Sequence, residues 1–193
     1  MADTKISAMT AASLPLDGTE LVPIVQSGNN KKTTVADLDA YNRSYGAWSD
    51  TTSQTGSTTA GTAFTFNTQD VADSVTLVDN TKFTVPNTGV YDLQFSAELK
   101  NVDNTQHEVI IWFKVNGSDL ANSATAITVP ARKTSNIYGY SVAAWNIFLS
   151  LNSNDYVEIY WLPSSVQVTT AAQSSTATHP AIPSVIATLQ QVA

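Results

Sequence analysis

The stretch KFTVPNTGVYDLQFSAEL, Lys82 to Leu99, decides how the chain is read. In its second half Tyr91, Leu93, Phe95, Ala97 and Leu99 fall on one side, and Asp92, Gln94, Ser96 and Glu98 on the other. A period of two marks a strand with one buried and one wet face. Pro86 and the Asn87-Thr88-Gly89 turn set its beginning, because proline interrupts regular pairing and glycine accepts the tight turn.

The neighbouring apolar runs differ from it. In VIIWFKVNGSDL, Val109, Ile111, Phe113 and Val115 share a face, while Ile110 and Trp112 share the other with Lys114. The Asn116-Gly117 step that follows predicts a tight hairpin. YGYSVAAWNIFLSL places Tyr138, Tyr140, Val142 and Phe148 opposite Trp145, Ile147, Leu149 and Leu151. DYVEIYWL sets Val157, Ile159 and Trp161 against Tyr160 and Leu162, and PSVIATLQQV closes the chain as a further strand, with Val185, Ala187 and Leu189 opposite Ile186 and Val192. Short strands at hairpin spacing, with no helical period, indicate an all-β antiparallel sandwich. A sandwich buries one face of each sheet, so strands apolar on both faces call for a packed neighbour. The expected interface comprises Ile110, Trp112, Trp145, Ile147, Leu149 and Tyr160.

Composition limits the function classes. The 193 residues carry a net charge of -7, with a pI near 4.5. That balance disfavours nucleic acid and anionic membrane, which attract basic patches. Only 13% of residues are charged against about 25% in ordinary soluble domains, so hydroxyls and amides solvate much of the surface. Cysteine is absent, which removes disulfides and thiolate chemistry. No apolar run of about 18 residues is present to cross a bilayer, and the N-terminus lacks the pattern of a secretion signal.

Three regions are expected. Residues 1–44 form a small arm, in which LVPIVQ is a short strand and Thr34 with Asp37 starts a short helix bearing Val35 and Leu38. Residues 45–63, SDTTSQTGSTTAGTA at their heart, read by composition as a Ser/Thr linker, with Trp48 beside it available for outside contacts. Residues 64–193 form the sandwich.

Chemistry is sparse. His107 and His179 sit in loop-like settings without a second ligand at metal spacing. Glu98 and Glu108 are the only carboxylates resembling a glycosidase pair, and the Asn101–Asn104 turn, with Asp79 and Asn80, is the only candidate for calcium. Neither is a recognisable site. No catalytic residue, cofactor or metal is expected, and Asn116-Gly117-Ser118 is a glycosylation acceptor only in a secretory cell.

Two resemblances follow from these residues. Phe83, Val85, Pro86, Gly89 and Tyr91 resemble the F-x-V-P-x-x-G-x-Y phrase of the trimeric jelly rolls typified by the complement/tumour-necrosis-factor-like family. LSLNSNDYVEIYW is similar to that family's later strand, with Asn154-Asp155 where glycine-aspartate is usual. This implies a homotrimeric jelly roll. Lys5, Ile6, Ser7, Leu16, Gly18, Glu20 to Gln26, Thr34, Val35, Asp37 and Leu38 resemble the opening phrase of phage tail fibres, tailspikes and other virion appendages. That implies a structural protein of the phage particle surface, assembled in the host cytoplasm, whose arm attaches through Leu21, Val22, Ile24, Val25, Val35 and Leu38. The expected function is a trimeric head-decoration (cement) protein or head fibre bound to the major capsid protein or another virion protein. The alternative is a short tail fibre that recognises a host-surface glycan.

Overall fold

The computed structural model describes residues 19–35 and 43–193, and the chain divides into two compact units, Met1–Arg43 and Ser44–Ala193. In the first, β1 (Leu21–Gln26) and β2 (Asn29–Thr34) form an antiparallel hairpin. Ser27 and Gly28, at φ 53° and 74°, make the two-residue turn that matches strand twist. Asn29 and Asn30, which follow the turn, both belong to β2. Val35 donates its N–H to the Glu20 carbonyl at 2.8 Å, which places the even positions of β1 on the bonded side. Pro23 then stands where its amide faces away from β2, so its missing N–H costs the hairpin nothing. The expected helix beyond Val35, including Leu38, lies outside the described residues.

The second unit is an all-β sandwich of antiparallel sheets. Its strands are β3 (Tyr45–Asp50), β4 (Thr62–Ala63), β5 (Thr68–Asp73), β6 (Thr76–Val78), β7 (Lys82–Thr84), β8 (Gly89–Asn101), β9 (His107–Val115), β10 (Ser118–Asp119), β11 (Thr125–Val129), β12 (Gly139–Leu151), β13 (Tyr156–Pro163), β14 (Val168–Thr170) and β15 (Val185–Gln191). One sheet runs β12-β8-β15-β3-β5, with β14 also on β8. The other runs β10-β9-β13-β7-β6, with β11 on β9 and β4 on β13. The alternation of β8 holds residue by residue: Tyr91, Leu93, Phe95, Ala97 and Leu99 are buried, in contact with the inward residues of the opposite sheet. Phe95 meets Phe113 edge-on at 5.8 Å, and Trp48 packs at 5.2 Å from Phe83. Tyr91 turns its hydroxyl to the Asn87 carbonyl at 2.8 Å, so the buried ring keeps its polar end satisfied. Left-handed backbone at Asn116 and Gly117 (φ 50° and 79°) and at Asn154 (φ 69°) forms the turns expected there.

Residues 45–63 are not a linker. They supply β3 and β4, and Trp48 is 1% exposed in the core rather than open to outside contacts. Asp50 is the organising group. Its buried carboxylate accepts the Thr52 N–H and hydroxyl at 2.7 and 2.6 Å and Asn67 Nδ2 at 3.1 Å on Oδ1. On Oδ2 it accepts Gln54 Nε2 at 3.2 Å and the Thr65 hydroxyl at 3.0 Å. Further bonds from the Gln54 N–H to Thr170 Oγ1 and from the Ala172 N–H to Ser53 Oγ tie the segment to residues more than a hundred positions away. Beyond β3, residues 51–63 are therefore ordered largely by satisfied hydrogen bonds around one acid, with little apolar content.

Candidate functional site

The two outer faces of the sandwich have different fates. On the β9–β13 sheet, Trp112 and Tyr160 are cross-strand partners with ring centroids 5.7 Å apart. Trp112 donates Nε1–H to Asp119 at 2.7 Å, and Lys114 lies 3.2 Å from the same carboxylate and 4.6 Å from the Tyr160 ring. The Trp112 bond first, and Lys114 second, hold the Asp119 carboxyl below its ordinary pKa. Gly61 lies so close over Trp112 that a Cβ there would enter the indole. Ile110, Trp112 and Tyr160, expected at a subunit interface, are half-buried within one chain.

On the β12–β8–β15–β3 sheet the expected interface residues face inward. Leu149 is 4% exposed in the core, and Trp145 packs on Phe95 at 4.6 Å, with Ile147 also against the core. Trp145, Ile147 and Leu149 are inner-face residues, because Phe95 and Phe113 fill the space that their side chains complete. The outward positions of β12 remain open: Tyr140, Val142 and Phe148 are 47%, 58% and 62% exposed. Sequence reasoning divided the two faces of β12 correctly, and Trp145, Ile147 and Leu149, expected at a subunit interface, lie on the inner one.

Register gives this open face its relief. Ala144, Ser96 and Ile186 lie side by side, as do Asn146, Gln94, Thr188 and Ala47, whereas Phe148 stands opposite Asp92. Asp92 accepts Gln94 Nε2 at 2.8 Å and Asn146 Nδ2 at 3.0 Å, so the polar centre is internally paired. Depressions of about 400 and 230 Å³ flank Gln94, and a third of about 320 Å³ lies among Tyr45, Ala47, Val71 and Gln190. Knobs on the edge strand and hollows over small residues share one surface.

The arm also has two faces. Leu21 and Val25, 60% and 72% exposed, project on one side with Pro23, while Val22 and Ile24 are half-buried on the other and Val35 is half-buried beyond β2. The four-residue apolar cluster is therefore split.

The candidate chemical groups are separated or engaged. Glu98 and Glu108 point out of opposite sheets, since their neighbours Ala97, Leu99 and Val109 are all core residues; they cannot flank one bond. Asn101 is buried and donates to the Thr105 and Pro130 carbonyls, while Asp103 accepts His107 Nε2 at 2.8 Å and the Asn104 N–H at 2.7 Å. These bonds, His107 foremost, depress the Asp103 pKa. Asp79 pairs with Lys82 at 2.7 Å. His179 Nδ1 lies 2.7 Å from the Pro180 carbonyl. Among the described residues no group of three or more histidine or carboxylate side chains is arranged to hold a metal ion. No family model matches the chain, and no curated protein matches it.

Proposed function

We propose that the chain is a structural protein of a phage particle: a homotrimeric head-decoration (cement) protein or head fibre, assembled in the host cytoplasm and fastened to the capsid by its N-terminal arm. Carrying this reading is one observation, the pairing of a separate hairpin unit bearing the ELVPIVQ phrase with a sandwich whose β12–β8–β15 face exposes Tyr140, Val142, Phe148 and Ile186 around a polar centre. The β12-β8-β15-β3 and β11-β9-β13-β7 strand orders support reading the sandwich as a jelly roll. Because the other outer face is partly covered by its own chain, the sister subunits meet at Tyr140, Val142 and Phe148, with Ile186 and Val71 beside them. On the arm, Leu21 and Val25 make the outward contact, and Val22 and Ile24 support the hairpin from its other side. Three arms on one trimer raise apparent affinity by about 100- to 10,000-fold over a single arm when the sites are suitably spaced.

Quantitative mass spectrometry of purified virions tests the assignment. Hundreds of copies per particle, lost when Leu21 and Val25 are both replaced by aspartate, are expected. A few tens of copies would instead indicate a tail fibre, and normal incorporation of the double variant would overturn the arm as anchor.

A further inference from the structure

We propose that Asn116, in the Asn116-Gly117 turn between β9 and β10, is a site of spontaneous deamidation that the folded chain holds inert through Asp155 and Tyr156. This is the chain's single Asn-Gly step. Both residues are exposed and lie in left-handed backbone, at φ 50° and 79°. Water therefore reaches the amide, and Gly117 puts no side chain over its own backbone nitrogen.

The reaction needs only water. The Gly117 nitrogen, after giving its proton to solvent, attacks Asn116 Cγ; the Cγ–Nδ2 bond breaks and the nitrogen leaves as ammonia. Water then opens the cyclic imide at either carbonyl, so that residue 116 becomes aspartate or, with the chain rerouted through the side chain, isoaspartate. An amide and a water become a carboxylate and an ammonium ion, and nothing is oxidised or reduced.

Three contacts oppose the first step in the folded chain. Asn116 Nδ2 donates to Asp155 Oδ1 at 2.7 Å, Asn116 Oδ1 accepts the Tyr156 N–H at 3.0 Å, and the Asn116 N–H donates to the Tyr156 carbonyl at 3.0 Å. They hold the amide against the start of β13, and Cγ meets the Gly117 nitrogen only when the side chain swings away from both partners. Asp155 is itself fixed, because its Oδ2 accepts the Asn152 N–H at 2.8 Å. Its carboxyl is held below the ordinary range, chiefly by Asn116, so it stays ionised and offers the departing ammonia no proton.

The product cannot rebuild what the amide held. A carboxylate at 116 would meet Asp155 as a like charge where Nδ2 donated, and isoaspartate would add a methylene to the backbone of a two-residue turn. That turn delivers Asp119 to Trp112 and Lys114, so conversion would loosen the contacts on the β9–β13 outer face. The inference concerns one chain's turn and rests on neither the trimer nor the virion reading.

The full-length protein is aged at mildly alkaline pH, well below its melting temperature, and conversion at residue 116 is followed by peptide mass spectrometry. The urea-unfolded chain should convert at least about ten-fold faster than the folded one, since a turn that opens locally reacts only while open. Removing a hydrogen bond to a charged acceptor raises the opened fraction about 10- to 100-fold, so folded Asp155→Ala should convert faster by that factor. Asp155→Asn, which keeps an acceptor oxygen without the charge, should fall between that variant and the parent. It carries the comparison if tryptophan fluorescence shows that the alanine variant does not fold. Equal rates in the folded and unfolded parent, no acceleration in the folded Asp155 variants, or an unfolded chain that keeps Asn116 intact while other asparagines convert would overturn the proposal.

Discussion

Replacing Asp50 tests whether a single buried carboxylate orders the Ser/Thr segment. Its side chain accepts five hydrogen bonds. Bonds to a charged partner contribute about 1.5–3 kcal/mol each, but donors that reach water recover most of that. Thr51 and Thr65 are exposed, so the 51–65 turn can hydrate part of what it loses. Counting about two bonds as lost outright, and capping the sum near the ~5 kcal/mol that single substitutions seldom exceed, Asp50→Ala should destabilise the sandwich by about 3–5 kcal/mol. Asp50→Asn preserves one acceptor oxygen and turns the other position into a donor facing Gln54 Nε2. Gln54 cannot simply flip, because its amide already exchanges bonds with both backbone groups of Thr65. Asparagine should therefore cost about 1–2 kcal/mol. Urea unfolding, followed by the fluorescence of buried Trp48 and Trp161 at fixed protein concentration, reads both values. At about 2–4 °C per kcal/mol for a unit of this size, the alanine variant should also melt about 6–20 °C lower. An alanine variant within about 0.5 kcal/mol of the parent would refute the carboxylate as the organiser.

Three further outcomes are expected. Gly139→Ala should destabilise by about 1–3 kcal/mol in the same assay, because the new Cβ would drive into the Pro130 carbonyl oxygen, which is backbone and cannot swing aside; a neutral effect would mean that the β11–β12 connection yields. Asp103, Asp119 and Asp155 all titrate below the ordinary carboxylic value, Asp155 chiefly through Asn116, so their stabilisation is complete above the unfolded pKa, about 3.9, and is lost as pH falls through the lower folded values. The urea midpoint should accordingly fall at acid pH, less steeply in Asp155→Asn, and an unchanged profile in that variant would count against the Asn116–Asp155 contact. Removing residues 1–43 should leave the Ser44–Ala193 unit with its melting temperature within a few degrees, as seen by calorimetry, because the division falls at Arg43.

The alternating strands were legible because a half-buried sheet imposes its period of two directly on the residue types. That is how the inner face of β8 and the Asn116-Gly117 turn could be named. Composition misled at residues 45–63, where Ser, Thr and Gly resemble a flexible linker. Their order depends on Asp50 and on partners such as Thr170, 116 positions away from Gln54, and no local window contains both. β12 was ambiguous for another reason: it is apolar on both sides, so its sequence fixes the two faces without ranking them. Phe95 and Phe113 decide the question by leaving room for Trp145, whose ring packs against both. The split of Leu21 and Val25 from Val22 and Ile24 was available from strand period alone and was obscured by reading the four as one cluster.

The position of β15 has a consequence for synthesis. It pairs with β8 on one side and with β3 on the other. Until the ribosome has released residues 185–191, those two strands have nothing between them, and the sheet cannot close. A chain stalled or clipped before this point would present two long unpaired edges, the arrangement most prone to pairing between molecules. Productive folding is therefore expected to begin after translation of the unit has ended, and incomplete products should appear in the insoluble fraction.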